Sequence, residues 1–194
     1  MKKLLILFIL IAPMLAEAQS PLGRHDVFGI STGYKHHNIK GGNFDVAFLE
    51  FDLYVYSTQF EYTAKIEYGK DYLNFEPLGA LGVMLMAFMF DGAGKDMPTT
   101  TEERFYIIML GSSSAKIPIY IANGWVEICP QWNLLKITKL YKDNFHINAS
   151  VGLSLKFYLN RSIYLSPMWE YSFGYKKQSP FTGHAYGMSL GFYF

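Results

Sequence analysis

The chain has 194 residues, of which 51% are apolar, 18% aromatic and only 17% charged, with a formal net charge of +1 at neutral pH. That near-neutral balance excludes nucleic acid as an expected partner, since holding a polyanion requires a basic surplus. Cys129 is the only cysteine, which excludes an internal disulfide and a cysteine-based metal site.

Lys2 and Lys3 precede an apolar run from Leu4 to Leu15, followed by Ala16, Glu17 and Ala18. A positive start, a short apolar stretch and an A-x-A site are the parts of a secretory signal peptide. Residues 1–18 are therefore expected to be cleaved, leaving 19–194 as a single domain. Position 19 is Gln rather than Cys, so no lipid anchor is expected there.

The stretch HDVFGISTGYK reads as an opening strand, with Phe28, Ile30, Thr32 and Tyr34 on one face over Gly29, Ser31 and Gly33. A loop is expected around His36, His37, Gly41 and Gly42. The apolar positions Leu49, Phe51, Leu53 and Val55 then change phase at Ser57-Thr58 and continue as Phe60, Tyr62, Ala64 and Ile66. A slip of one residue means a β-bulge or a hairpin. The run Leu78 to Phe90 is apolar in both phases and too short for a bilayer helix; it reads as a further strand or as a short helix inserted in a lumen. Residues 91–102, DGAGKDMPTTTE, read as a long surface loop.

From about Glu103 to Ile121 a strand is expected, with Phe105, Ile107, Met109, Ala115, Ile117, Ile119 and Ile121 opposed to Arg104, Tyr106, Ser112, Ser114 and Lys116. Asn123-Gly124 is a strong hairpin signal. After it Val126, Ile128, Pro130 and Trp132 fall on one face, and Trp125, Glu127, Cys129 and Gln131 on the other. The hairpin IYIANGWVEICPQWN is echoed by FYLNRSIYLSPMWEY, whose turn is expected around Asn160 and Arg161.

The final stretch, GHAYGMSLGFYF, fixes the sidedness. Its bulky positions His184, Tyr186, Met188, Leu190, Phe192 and Phe194 alternate with Ala185, Gly187, Ser189, Gly191 and Tyr193. A face built largely of Gly, Ala and Ser would make a poor soluble core. Turned inside out, the bulky side meets hydrocarbon and the small side meets a narrow lumen, as a transmembrane barrel requires. The fold expected is all-β, an antiparallel up-and-down meander. A bulge at Ser57-Thr58 gives eight strands, and a hairpin there gives nine, repaired to ten by the even-number rule.

The signal peptide, the closing aromatic at Phe194 and the hairpin FYLNRSIYLSPMWEY together resemble the small outer-membrane β-barrel families related to the OmpA transmembrane domain, OmpX and the opacity proteins. The resemblance covers residues 23–194. It implies location in the bacterial outer membrane, contact with its lipid, and a C-terminal strand read by the outer-membrane assembly machinery. For that signal the residues are Tyr186, Met188, Leu190, Phe192 and Phe194.

Inward charges form one candidate site: Glu50, Asp52, Glu127 and Glu170 with Arg104 and Lys156. They are expected to pair and fill the lumen, the alternative being a pore whose ion preference they set. Met84, Met86 and Phe88 form a second, a wall for a small hydrophobic ligand. For catalysis only His184 with Ser179, or His36 and His37, are available, without a motif around them; no catalytic, metal or cofactor site is assigned. The function expected is structural, or interaction with an extracellular ligand or surface through loops near 36–43, 91–102, 138–144 and 176–182. Transport of a hydrophobic ligand and lipid A modification are the alternatives.

Overall fold

A computed structural model describes residues 27–55, 59–76, 79, 113–140, 145–176 and 179–194. Ten strand segments are formed: β1 (Val27–Ile39), β2 (Gly42–Val55), β3 (Phe60–Gly69), β4 (Tyr72–Glu76), β5 (Ser114–Lys116), β6 (Ile119–Ile121), β7 (Val126–Leu140), β8 (Phe145–Tyr158), β9 (Ile163–Gly174) and β10 (Gly183–Tyr193). All pairings are antiparallel, and β1 pairs with both β2 and β10, so the sheet closes on itself.

The closed wall has eight positions because β4, β5 and β6 share one of them. β4 and β5 both lie between β3 and β7, with Phe75 opposite Ile137 and Ser114 opposite Asn133. β6 continues the same line, Ile119 opposite Ile128. The fourth wall strand is thus assembled from three collinear pieces, with residues 77–113 inserted between the first two.

Eight is the count expected from a bulged second strand, yet the strands are different ones. The chain reverses between Val55 and Phe60, which pair with each other, so β2 and β3 form a hairpin rather than one bulged strand; Ser57-Thr58 lie outside the described residues. Gln59 there takes φ 56°, a left-handed conformation its residue type does not advertise. A further two-residue reversal at Lys70 and Asp71, with φ 65° at Asp71, starts β4 and completes the eight. Leu78 to Phe90, Gly79 apart, and the loop 91–102 lie outside the described residues.

No loop exists over 36–43. β1 runs through His36 and His37 to Ile39, and the turn is Lys40 and Gly41 alone. Likewise β7 reaches Leu140, so 138–140 are strand. Strands β8, β9 and β10 keep the expected faces: Phe157, Leu165, Trp169, Tyr186 and Met188 are exposed outside, while Lys156, Tyr164, Glu170, Ala185 and Ser189 are buried inside. In β7 the alternation holds to Asn133 and shifts at a bulge before Lys136, which brings Lys136, Thr138 and Leu140 inward.

Candidate functional site

Every second residue of the wall points into the lumen, and an unusual share of them are charged. Among the described residues five lysines and seven carboxylates form one continuous ladder along the barrel. At the end away from the termini, Lys35 of β1 donates to Glu67 at 2.6 Å and to Glu170 at 2.7 Å. Glu170 is shared with Lys136, which also lies 3.2 Å from Glu76. Lys65 bridges downward, 3.9 Å from Glu76 and 2.8 Å from Glu50. Lys116 gathers Glu50 at 2.6 Å, Asp52 at 2.9 Å and Glu61 at 3.2 Å. Lys156 closes the series on Glu61 at 2.6 Å and Glu127 at 3.0 Å.

Burying this many charges is costly unless each is paired and its remaining hydrogen-bonding capacity used. Neutral groups supply the remainder. Asn74 donates to Glu67 at 3.2 Å and to Glu76 at 2.9 Å, and Thr138 donates to Asn74 at 2.9 Å. The Tyr193 hydroxyl donates to Glu61 at 2.6 Å, the Tyr158 hydroxyl bonds Glu127, and the Cys129 thiol donates to Glu127 at 2.8 Å.

Each end of the ladder is covered. Near the β1–β2 turn, Ile39, Val46, Tyr72, Leu140 and Phe181 form an apolar cluster with Phe44 against it. At the terminal end Val27, Tyr54, Tyr158, Tyr164 and Tyr193 pack together, with the Tyr164 and Tyr193 rings 5.1 Å apart. Phe181 reaches the first cluster because its loop folds back over the barrel: Gly41 N–H donates to the Pro180 carbonyl at 2.8 Å and Lys40 N–H to that of Thr182 at 3.0 Å.

Glu50, Asp52, Glu127, Lys156 and Glu170 therefore lie in one connected network; Arg104 is outside the described residues, as are Met84, Met86 and Phe88. Sequence reasoning left Lys35, Glu61, Lys65, Glu67, Glu76, Lys116 and Lys136 out of the network. For β3 the signal was available, since Glu61, Thr63, Lys65 and Glu67 alternate with Phe60, Tyr62, Ala64 and Ile66. For Lys136 the bulge hid it.

The histidines do not assemble a site. His36 points outward and bonds Asp45 at 2.8 Å, while His37 points inward, 3.4 Å from Glu67 and stacked on Tyr72. His184 is exposed on the outer face, receiving the Trp169 indole N–H at 3.3 Å, whereas Ser179 is buried and accepts from the Phe181 N–H at 3.3 Å. Among the described residues no group of three His, Cys, Asp or Glu side chains is arranged to hold a metal ion.

On the outer side Val55, Phe60, Tyr62, Ala64, Ala115 and Ile117 form a buried cluster, with Trp132 meeting Phe60 edge-on at 5.9 Å. The remaining outer wall is openly apolar, with Tyr186, Met188, Leu190 and Phe192 of β10, and Phe194 just after it, in one exposed row.

No protein-family description matches the sequence, and no curated protein is similar to it. Among solved structures the chain is similar to the N-terminal β-barrel domain of Pseudomonas aeruginosa OprF, with a TM-score of 0.51 and 10% identity over 86% of this chain and 97% of that one. It is also similar to the outer membrane protein Ail of Yersinia pestis, with a TM-score of 0.47 and 9% identity over 88% and 100% of the two chains. Neisserial surface protein A follows at 0.45 and 9%, over 87% and 95%. The OprF likeness shows the fold: this chain is a small closed antiparallel barrel whose wall has eight strand positions.

Proposed function

We propose that the protein is an integral barrel of the bacterial outer membrane with a structural role, its lumen filled by its own side chains rather than open to solutes. The ladder carries this reading. Each of its five lysines is shared between at least two carboxylates, and an apolar or aromatic cluster covers each end. A hydrated ion entering this space would have to break pairs that are already satisfied. In the membrane the terminal end would face the periplasm and the β1–β2 turn the outside, as even-stranded barrels are arranged. The outer faces would contact lipid, and the exposed row Tyr186, Met188, Leu190, Phe192 and Phe194 would be read by the assembly machinery.

An adhesion-like role needs a projecting loop. At the outward end the β1–β2 and β3–β4 reversals are two residues each, and the described part of the β9–β10 connection folds back through Phe181. That reading therefore rests on residues 91–102, 141–144 and 177–178, outside the described residues, as the hydrophobic-ligand reading rests on Met84, Met86 and Phe88. For lipid A modification, His36 and His37 point to opposite faces of the wall and His184 is exposed where Ser179 is buried, and an unchanged lipid A mass profile on deletion of the protein is expected.

The test is electrical. Protein reconstituted in planar bilayers, after showing the heat-dependent change in gel mobility of a closed barrel, is expected to give no steady conductance. Large, stable currents would overturn the filled-lumen reading.

A further inference from the structure

At the end away from the termini the rim is cut by two grooves on either side of Lys139 and Phe145. The first, of about 490 Å³, has Phe145, Ile147 and Tyr175 on its membrane side and His146, Lys176 and Ser179 toward the top. The second, of about 480 Å³, is lined by Tyr68, Leu73, Lys70 and Lys139, with Asp71 at its mouth. Both grooves combine apolar side chains with lysine, and the second also holds the Asp71 carboxylate.

The first groove is the better built. Phe145, Ile147 and Tyr175 are 63%, 56% and 62% exposed and lie together along this groove. Tyr175 is held there, because its hydroxyl bonds the Leu134 carbonyl on β7, laying the side chain across the outside of β8. The β7 bulge at Leu134 and Leu135 leaves that carbonyl available. Lys139 Nζ stands 5.3 Å from the Phe145 ring centre. Among the described residues neither Lys139 nor Lys176 has a carboxylate partner, and none lines this groove. Among the described residues the lumen lysines are all paired within the ladder, and Lys139 and Lys176 stand at the rim beside exposed aromatic surface.

We propose that this groove binds a phosphorylated membrane lipid, its phosphate at Lys176, with Lys139 adding positive charge from beside Phe145 at the groove's edge, and its acyl chain along Phe145, Ile147 and Tyr175. The charge is complementary to phosphate, and the apolar wall beneath distinguishes an amphiphile from a free anion. The proposal rests on the outer-membrane reading above, which places this rim at the level of lipid headgroups.

The full chain, purified in zwitterionic micelles, is titrated with bisphosphorylated lipid A and with its dephosphorylated form, and bound lipid is read by native mass spectrometry. Preference for the bisphosphorylated lipid is expected, weakened about fivefold for each lysine removed in Lys139→Ala and Lys176→Ala. Phe145→Ala is expected to weaken both lipids, Arg161→Ala at the opposite rim to change neither, and excess inorganic phosphate to leave the lipid bound. Equal retention of the two lipids, unchanged retention in the double lysine variant, or displacement by inorganic phosphate would overturn the site. The heat-dependent mobility change serves as the fold control throughout. Wild-type protein that shows the change but no phosphate preference fails this proposal and leaves the barrel reading standing; wild-type protein without it fails the barrel reading itself. Should the double variant lose the change, Lys176→Ala alone decides.

Discussion

Lys65 and Glu50 stand directly opposite each other on β3 and β2, and their side chains meet at 2.8 Å inside the lumen. With the longer contact of Lys65 to Glu76 at 3.9 Å, this pair joins the two halves of the ladder. The upper half balances three carboxylates with two lysines and Lys65; the lower half has four carboxylates around Lys116 and Lys156.

The two lysines at the middle should therefore not be equivalent. In Lys65→Met, Glu50 keeps Lys116 and Glu76 keeps Lys136, so a loss of about 1–3 kcal/mol is expected. In Lys116→Met, Asp52 keeps, among the described residues, the Tyr164 hydroxyl at 3.4 Å, and a loss of about 3–5 kcal/mol is expected for a carboxylate left buried without its cation. Adding Asp52→Asn should return part of the second loss and none of the first. Urea unfolding of the refolded barrel in vesicles measures all three; equal costs for the two lysines would refute the connectivity.

Small residues inside the wall carry a second prediction. A Cβ on Gly191 would lie 2.1 Å from Cζ of Tyr164, whose ring is held by Tyr158 and Tyr193 in the terminal cluster. Gly191→Ala is expected to cost about 1–3 kcal/mol through overpacking. Combining it with Tyr164→Leu should cost less than the sum of the two single changes, since the shorter side chain vacates the space. Strict additivity in the same unfolding assay would count against the contact.

The parts of this barrel that could be read in advance are those where sequence carries both alternation and a familiar turn. β8, β9 and β10 alternate bulky against small or polar residues, and Asn160 makes the reversal between β8 and β9 by accepting from the N–H groups of Ser162 and Ile163, each at 2.8 Å. The first half is harder because its turns use unadvertised residues. Gln59 and Asp71 take left-handed backbone without a Gly, and β4 is only five residues long. His36 and His37, beside Gly41 and Gly42, resemble a loop in composition while continuing the strand alternation from Gly29. The ladder was legible only in part: Lys35 and Lys65 follow from continuing a phase, whereas Lys136 follows only once the bulge before it is known.

The left-handed positions carry a prediction of their own. At Asp71, φ 65° is tolerated by Asp, relaxed by Gly and opposed by a β-branched side chain. Asp71→Gly is expected to leave stability within about 0.5 kcal/mol, whereas Asp71→Val should cost about 1–2 kcal/mol. Hydrogen exchange across β3 and β4 locates the effect. Loss of protection confined to other strands would mean that this hairpin is not where the chain reverses.

The last prediction separates assembly from stability at two adjacent residues. Phe194 is 78% exposed on the outer side, its ring 6.3 Å from that of Phe28 and its N–H donating to the Phe28 carbonyl at 2.9 Å. Tyr193 is 5% exposed, within the terminal tyrosine cluster, and its hydroxyl bonds Glu61 and Lys156. Sequence phase alone would make Tyr193 the more tolerant of the two, but this hydrogen bonding gives it a share in holding the ladder. Tyr193→Phe is expected to lower unfolding free energy by about 1.5–3 kcal/mol, the range for a hydrogen bond to a charged group, while the amount reaching the outer membrane stays near normal. Deleting Phe194 removes a ring that is mostly exposed and one hydrogen bond near the end of a strand, so purified, refolded protein should lose no more than about 1–2 kcal/mol. In cells the same deletion should strip the protein from the outer membrane, because the assembly machinery is expected to read the outward row that Phe194 completes. Membrane fractionation and in vitro unfolding of both variants give four numbers. If deletion of Phe194 leaves the membrane fraction unchanged, the assembly role of that row is lost; if Tyr193→Phe leaves stability unchanged, the hydroxyl does not hold the ladder.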